Sequence, residues 1–299
     1  MSGTGQMAAQ MAGKGGFIAA LDQSGGSTPG ALRNYGIPDD AYRGETEMFR
    51  LVHEMRVRIM TSPAFTGDKV IGAILFERTM DGEVRGKPTP SYLWEDRGVV
   101  PFLKVDKGLE AETDSVRLMK PIEDLDALLQ RAASLGIYGT KMRSVIGGAS
   151  RPGIAAIVRQ QFDIARRIAA HGLMPIIEPE VSIEAPDKSA AEEILLHEIN
   201  AQLGSLEGDR NVMFKLTIPS VPDLYAPLIG HARVQRVVAL SGGYPRDEAC
   251  RLLATNHGMI ASFSRALIDD LRASMSDTAF DTALRQAIDE IYDASVNKT

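Results

Sequence analysis

A chain of 299 residues, 44% hydrophobic and 24% charged, has the composition of a globular protein with a sizeable core rather than a fibrous or disordered one. Lys plus Arg number 33 against 39 Asp plus Glu, a net charge of −6. That balance excludes a general nucleic-acid or anionic-membrane surface, so any anionic ligand must meet a local positive patch. No apolar run reaches the roughly 18 residues of a membrane span, and the single cysteine, Cys250, excludes an intramolecular disulfide or a cysteine-built metal site. The expected compartment is the cytoplasm.

Residues 1–14 carry no basic region or long apolar stretch and read as a frayed or helical N-terminal extension, not a secretory signal. Eight short, β-branched apolar runs follow, at 17–22, 70–76, 99–106, 138–143, 173–181, 212–218, 234–241 and 259–264. Most are continuous rather than alternating, as expected of parallel strands covered on both faces. Helical patterns lie between them, at 42–60, 121–135, 152–171, 245–255 and 277–294. In 152–171, Ile154, Ile157, Val158, Phe162, Ala165 and Ile168 recur at steps of three and four, with Ser150 as N-cap and Gly172 as stop. A further helix is expected to open with a capping box of Ser189 and Glu192. Residues 82–98 read as an excursion. Strand alternating with helix eight times, without a linker, predicts one (β/α)8 barrel domain over 1–299 rather than a doubly wound sheet with a second domain.

The runs end in charge. Asp22, Lys104 with Asp106, Lys141 with Arg143, Glu178 with Glu180, and Lys215 all stand in the last residues of apolar runs. Side chains two apart on a strand share a face, and in a parallel barrel the carboxyl ends of the strands form the rim that holds the chemistry. Burying this many ions requires mutual pairing or a polar ligand. Crowding Lys104, Lys141 and Lys215 is expected to lower the pKa of at least one, and a neutral amine attacks a carbonyl to form a Schiff base. Lys215, with the most apolar flanks, is the candidate nucleophile, and Glu178 and Glu180 are the candidate proton-transfer groups.

Two Ser/Gly clusters, Ser24-Gly25-Gly26-Ser27 after the first run and Ser241-Gly242-Gly243 after the seventh, are candidate phosphate cradles, because glycine lets successive N–H groups approach an anion. With Arg265 after the eighth run they suggest a substrate with two anionic ends. The histidines His53, His171, His197, His231 and His257 show no metal-ligand spacing, so no metal or other cofactor is expected. Cys250 lies on a helical stretch and reads as a small hydrophobe.

These segments together resemble the class I fructose-bisphosphate aldolases of the short bacterial type. The resemblance rests on Ala-Leu-Asp-Gln-Ser-Gly-Gly-Ser at 20–27, Leu-Lys-Val-Asp-Lys-Gly at 103–108, Gly-Thr-Lys-Met-Arg-Ser at 139–144 and Ile-Glu-Pro-Glu-Val at 177–181. It continues in Phe-Lys-Leu-Thr-Ile at 214–218, Leu-Ser-Gly-Gly at 240–243, Ser-Phe-Ser-Arg-Ala-Leu at 262–267 and the ending Ile-Tyr-Asp-Ala-Ser-Val-Asn. The resemblance implies metal-independent cleavage of fructose 1,6-bisphosphate to dihydroxyacetone phosphate and glyceraldehyde 3-phosphate. It assigns Lys215 as Schiff-base lysine, Glu178 as acid/base with Glu180 beside it, Asp22 as the group handling the C4 hydroxyl, and Lys141 as the tuning cation. Ser241, Gly242, Gly243 and Arg265 match the cradle for one phosphate, and Ser24, Ser27, Lys104 and Arg143 the positions meeting the rest.

Three departures stand out. Gln23 replaces the glutamate of the animal enzymes, Ser264 runs directly into Arg265 where they carry Tyr-Gly, and no residue up to Thr299 matches the tyrosine that ends their longer tail. A Schiff-base barrel acting on a monophosphate or keto acid, and a noncatalytic sugar-phosphate binding barrel, are the rival readings. The expected partner is a small sugar phosphate, with no nucleic acid and no membrane, and a homo-oligomer is compatible with the pattern.

Overall fold

The computed structural model describes residues 3–206 and 211–299, with the side chain of Ser27 outside the description. Eight parallel strands follow one another around a ring: β1 (Phe17–Leu21), β2 (Val70–Leu75), β3 (Val100–Lys104), β4 (Gly139–Ile146), β5 (Met174–Val181), β6 (Val212–Thr217), β7 (Val234–Leu240) and β8 (Ile260–Ala261). Each pairs in parallel with the next in sequence. The seam between β8 and β1 is bridged by Ala20 N–H donating to the Phe263 carbonyl at 3.1 Å. The chain is a (β/α)8 barrel, and its strands coincide with the apolar runs. The last run differs most, because only residues 260–261 pair regularly before the chain turns at the seam.

Strand alternation divides the apolar residues into two cores. Ile18, Ile71, Val100, Phe102, Ile176, Met213, Val238 and Ile260 fill the inside of the barrel. Residues of the opposite alternation, such as Leu21, Leu103, Met142, Ile177 and Phe214, face outward and pack with the helices. Both sets are almost fully buried, which is why the strands are continuously hydrophobic. Helix α1 (Gly3–Gly13) closes the end at which the strands begin, placing Met7 and Met11 in the inner core. Gln10 fixes it by donating to the carbonyls of Ile71 and Gly98, both at 2.8 Å.

Around the ring lie α2 (Ser27–Asn34), α3 (Gly44–Thr61), α4 (Leu125–Ser134), α5 (Arg151–Ala170), α6 (Lys188–Leu203), α7 (Arg246–Ala254) and α8 (Asp277–Val296). The boundaries of α5 follow their signals: Ser150 Oγ accepts from Gly153 N–H at 3.3 Å, and Gly172 takes a φ of 76° just past the end. The capping box expected at Ser189 does not form. Helix α6 starts at Lys188 after Asp187, and the Glu192 carboxylate accepts from Lys188 Nζ at 2.5 Å and from Ser220 N–H at 2.9 Å. An ion pair within the helix and a hydrogen bond from the next loop outcompete the local cap. The excursion at 82–98 is a two-strand ribbon, Glu83–Val84 with Lys87–Pro88, followed by a short helical segment.

One position tests how tightly the ring is packed away from the mouth. A Cβ on Gly139, at the start of β4, would lie 2.2 Å from the Met174 carbonyl oxygen and 2.9 Å from Phe102 Cε1. Gly139→Ala is therefore expected to destabilise the barrel by about 1–3 kcal/mol or more, as overpacking does. Urea denaturation would show it as a lowered midpoint with an unchanged slope.

Candidate active site

At the end of the barrel opposite α1, the inward positions switch from apolar to charged. On β4 the alternation that points Met142 outward points Lys141 and Arg143 inward, and on β5 it does the same for Glu178 and Glu180 about Ile177. Asp22 follows β1, Lys104 ends β3 and Lys215 lies on β6. These side chains line one cleft of about 1060 Å³ at the mouth.

Four of the buried groups form a chain of alternating charge. Lys141 Nζ lies 2.6 Å from an Asp22 oxygen and 2.9 Å from Glu178 Oε2, and Lys215 Nζ lies 3.0 Å from Glu178 Oε1. All four residues are less than a tenth exposed. The Lys141 contact to Glu178 lacks hydrogen-bond geometry, so Glu178 Oε2 has a cation beside it but no hydrogen-bond donor. Burial alone would raise the carboxyl pKa values of Asp22 and Glu178, yet the charges of Lys141 and then Lys215 outweigh it and hold both below their ordinary range. At Lys141, burial favours the neutral amine, but Asp22 and Glu178 push the pKa above the ordinary lysine value. Of the three lysines expected to crowd one another, Lys141 is not the depressed one, because two carboxylates lie within 3 Å of its ammonium.

Not every charged pair faces the same partner. Arg143 Nε donates to Glu180 at 2.5 Å, which holds Glu180 toward the rim while Glu178 joins the lysines. Lys104 Nζ donates to the backbone carbonyl of Asp106 at 2.7 Å and pairs with its carboxylate at the same distance. Asp106 also accepts from Arg143 N–H at 3.3 Å, tying the ends of β3 and β4 together.

The Ser241-Gly242-Gly243 loop follows β7, with φ values of 65° and 126° at the glycines. A Cβ on Gly242 would meet Ile183 Cγ2 at 2.6 Å, so both conformation and space exclude a larger residue. An Arg265 Nη lies 3.3 Å from where a Gly243 Cβ would stand, which puts a guanidinium beside the loop. Two strands further round the mouth, Ser24 and Gly25 line the cleft ahead of α2, and Gly25 takes a φ of 54°. Ser27 opens α2, with its side chain outside the described residues.

Two residues behind the site escaped the sequence reading. Arg56, on the buried face of α3 with Val52, Met55 and Ile59, is 1% exposed and has no carboxylate within ion-pair distance among the described residues. It donates to Thr79 Oγ1 at 2.7 Å and to the Gln23 carbonyl at 2.5 Å, fixing the segment that carries Asp22. Burial lowers its pKa to about 10. The Gln23 side chain in turn donates to Ser264 Oγ at 2.5 Å, joining the ends of β1 and β8. Gln161, on the apolar stripe of α5, accepts from Glu178 N–H at 2.9 Å through the barrel wall. A polar residue within an otherwise apolar helical stripe was the available signal in both cases.

No histidine lines the cleft, and among the described residues no group of three or more His, Cys, Asp or Glu is arranged to hold a metal. Burial pushes the Cys250 thiol up to about 11, in keeping with a packed residue rather than a nucleophile. No helix among the described residues is long and apolar enough to cross a membrane.

A barrel whose mouth brings buried lysines, carboxylates and a glycine-rich loop together in one cleft has the make-up of an enzyme site. The model of the family described as fructose-bisphosphate aldolase class-I matches residues 5–217, and the chain belongs to that family. It is an aldolase, a carbon–carbon lyase. Among solved structures, a fructose-bisphosphate aldolase from Plasmodium falciparum, in complex with TRAP and a small-molecule inhibitor, superposes with a TM-score of 0.79. The match covers 99% of this chain and 95% of that one at 20% identity, so it bears on the fold.

Proposed function

We propose that this aldolase cleaves fructose 1,6-bisphosphate through a Schiff base on Lys215, without a metal, in cytoplasmic glycolysis and gluconeogenesis. The observation that carries the reading is the buried chain Lys215–Glu178–Lys141–Asp22 at the mouth of a barrel of this family. Glu178 Oε1, 3.0 Å from Lys215 Nζ, takes the ammonium proton, and the freed amine attacks the C2 carbonyl. The resulting carbinolamine loses its hydroxyl as water with a proton returned by Glu178, leaving a protonated imine.

The ionised Asp22 accepts the C4 hydroxyl proton as the C3–C4 bond breaks. Glyceraldehyde 3-phosphate leaves as the aldehyde, and the bonding electrons enter the imine to give an enamine. Protonation at C3 and hydrolysis release dihydroxyacetone phosphate and regenerate the amine. Lys141 keeps Asp22 and Glu178 ionised, Glu180 stands at the rim on Arg143, and Ser241, Gly242, Gly243 and Arg265 hold the phosphate of the half that stays bound.

The test is borohydride reduction in the presence of dihydroxyacetone phosphate and a chelator, followed by intact mass and peptide mapping. One stable adduct on Lys215 is expected. A folded protein that forms none would remove imine chemistry and favour a binding barrel.

A further inference from the structure

Neighbouring strands are joined by ladders all round the ring except between β8 and β1, where β8 pairs only with β7 and β1 only with β2. The Ala20–Phe263 main-chain bond crosses this seam below Asp22. Two groups of the site flank it: Asp22, directly after β1, and Arg265, in the turn after β8.

At the mouth the seam is spanned by a side chain. Gln23 Nε2 donates to Ser264 Oγ at 2.5 Å, and these residues are the chain neighbours of Asp22 and Arg265. The amide is held from behind. One Arg56 nitrogen donates to the Gln23 carbonyl at 2.5 Å and to Gln23 Oε1 at 3.3 Å, and another donates to Thr79 Oγ1 at 2.7 Å. Because an arginine only donates, Oε1 has to face it, which leaves Nε2 for Ser264. A carboxylate at position 23 would accept from Arg56 but would have no N–H for Ser264. Two of the three departures from the animal enzymes, Gln23 and the direct run of Ser264 into Arg265, therefore meet in one contact.

We propose that Gln23 is a positioning residue, a latch that Arg56 orients from inside the protein and that, by holding Ser264, fixes Asp22 relative to Arg265 for the carbon–carbon cleavage step. This rests on the roles given above to Asp22, Lys215 and Arg265. In that reading the C4 hydroxyl lies at Asp22 while the phosphate of the retained half lies at Arg265, so the span across the seam enters the cleavage step directly. A misplacement of about 1 Å at such a step costs about a hundredfold in rate. Imine formation uses Lys215 on β6 and Glu178 on β5, on the other side of the ring, which the latch does not touch.

The two steps are measured separately in wild type, Ser264→Ala, Ser264→Thr, Gln23→Leu and the double variant with Gln23→Leu and Ser264→Ala. One measurement is the rate of borohydride-trapped imine at saturating dihydroxyacetone phosphate, and the other is kcat for fructose 1,6-bisphosphate cleavage. Ser264→Ala and Gln23→Leu should each lower kcat about ten- to a hundredfold. The double variant should fall no further than the slower single one, because both changes remove the same hydrogen bond. Ser264→Thr keeps the hydroxyl and should recover most of the rate.

Trapping should stay at the wild-type rate in every variant, which also verifies the fold. Three results would overturn the latch: cleavage at the wild-type rate in both single variants, losses that multiply in the double variant, or equal losses in trapping and cleavage. Multiplied losses would make Ser264 a separate substrate contact, and equal losses would mean a general loosening of the mouth. A wild-type protein that forms no adduct would remove the Schiff-base reading and the latch with it, a failure read from wild type alone and so distinct from the other three.

Discussion

Lys215→Met is expected to abolish the borohydride adduct and to lower the rate of fructose 1,6-bisphosphate cleavage by about four or more orders of magnitude, as loss of a covalent nucleophile does. Methionine matches the unbranched stem of lysine, and the flanking Phe214 and Leu216 point outward into the helical layer, so the barrel should stay folded. What changes is charge. Glu178 loses one of its two close cations while burial still disfavours its ionised form, so its pKa should rise. Binding of a hexitol bisphosphate should survive, because the residues proposed to hold phosphate do not include Lys215. Residual cleavage near the wild-type rate would mean that another amine carries the imine, and peptide mapping after reduction would identify it.

Much of this was legible before any coordinates, for a reason particular to barrels. A strand buried on both faces leaves an uninterrupted apolar run, so the runs at 70–76 and 212–218 mark β2 and β6 to within a residue. Because alternation has a fixed period, a charge at the end of such a run must face either the helices or the mouth. Lys141 with Arg143, and Glu178 with Glu180, could therefore be assigned to one face as pairs.

What could not be read was which charge meets which. Asp22 and Lys141 are separated by two strands of the ring yet lie 2.6 Å apart, a contact set by closure and not by sequence spacing. Glu178 and Glu180 look equivalent in Ile-Glu-Pro-Glu-Val, but the shift of one residue pair along β5 gives one the lysines and the other Arg143. Residues 108–120 carry no periodic pattern, and the two-residue strand Val116–Arg117 takes its place only by pairing antiparallel with β4. At Ser189 and Glu192 a local motif was present and a tertiary contact overrode it.

Lys141→Met is the sharper probe of the electrostatics, because it leaves the nucleophile in place and removes the charge between two buried carboxylates. Breaking such a network by deleting one ion costs about 3–5 kcal/mol at neutral pH, and activity should fall by about two or more orders of magnitude as at least one of Asp22 and Glu178 loses its ionised state. The pH dependence separates this from simple loss of packing. In the wild-type chain the folded pKa values of Asp22 and Glu178 are depressed, so their contribution to stability is complete above the unfolded values of 3.8 and 4.5 and is lost as pH falls below them.

Stability contributed by these two groups should therefore be flat from about pH 5 to 8. In Lys141→Met burial wins and at least one of the two pKa values rises above its unfolded value. The folded state then binds more protons than the unfolded one, and stability should increase as pH falls from 8 toward 5. Urea midpoints at pH 5 and pH 8 report the difference directly, and Lys141→Arg, which keeps the charge, should restore the flat profile without restoring full activity. A Lys141→Met variant that is destabilised equally at both pH values would show that Lys141 fills space at the mouth and does not govern the ionisation of Asp22 and Glu178.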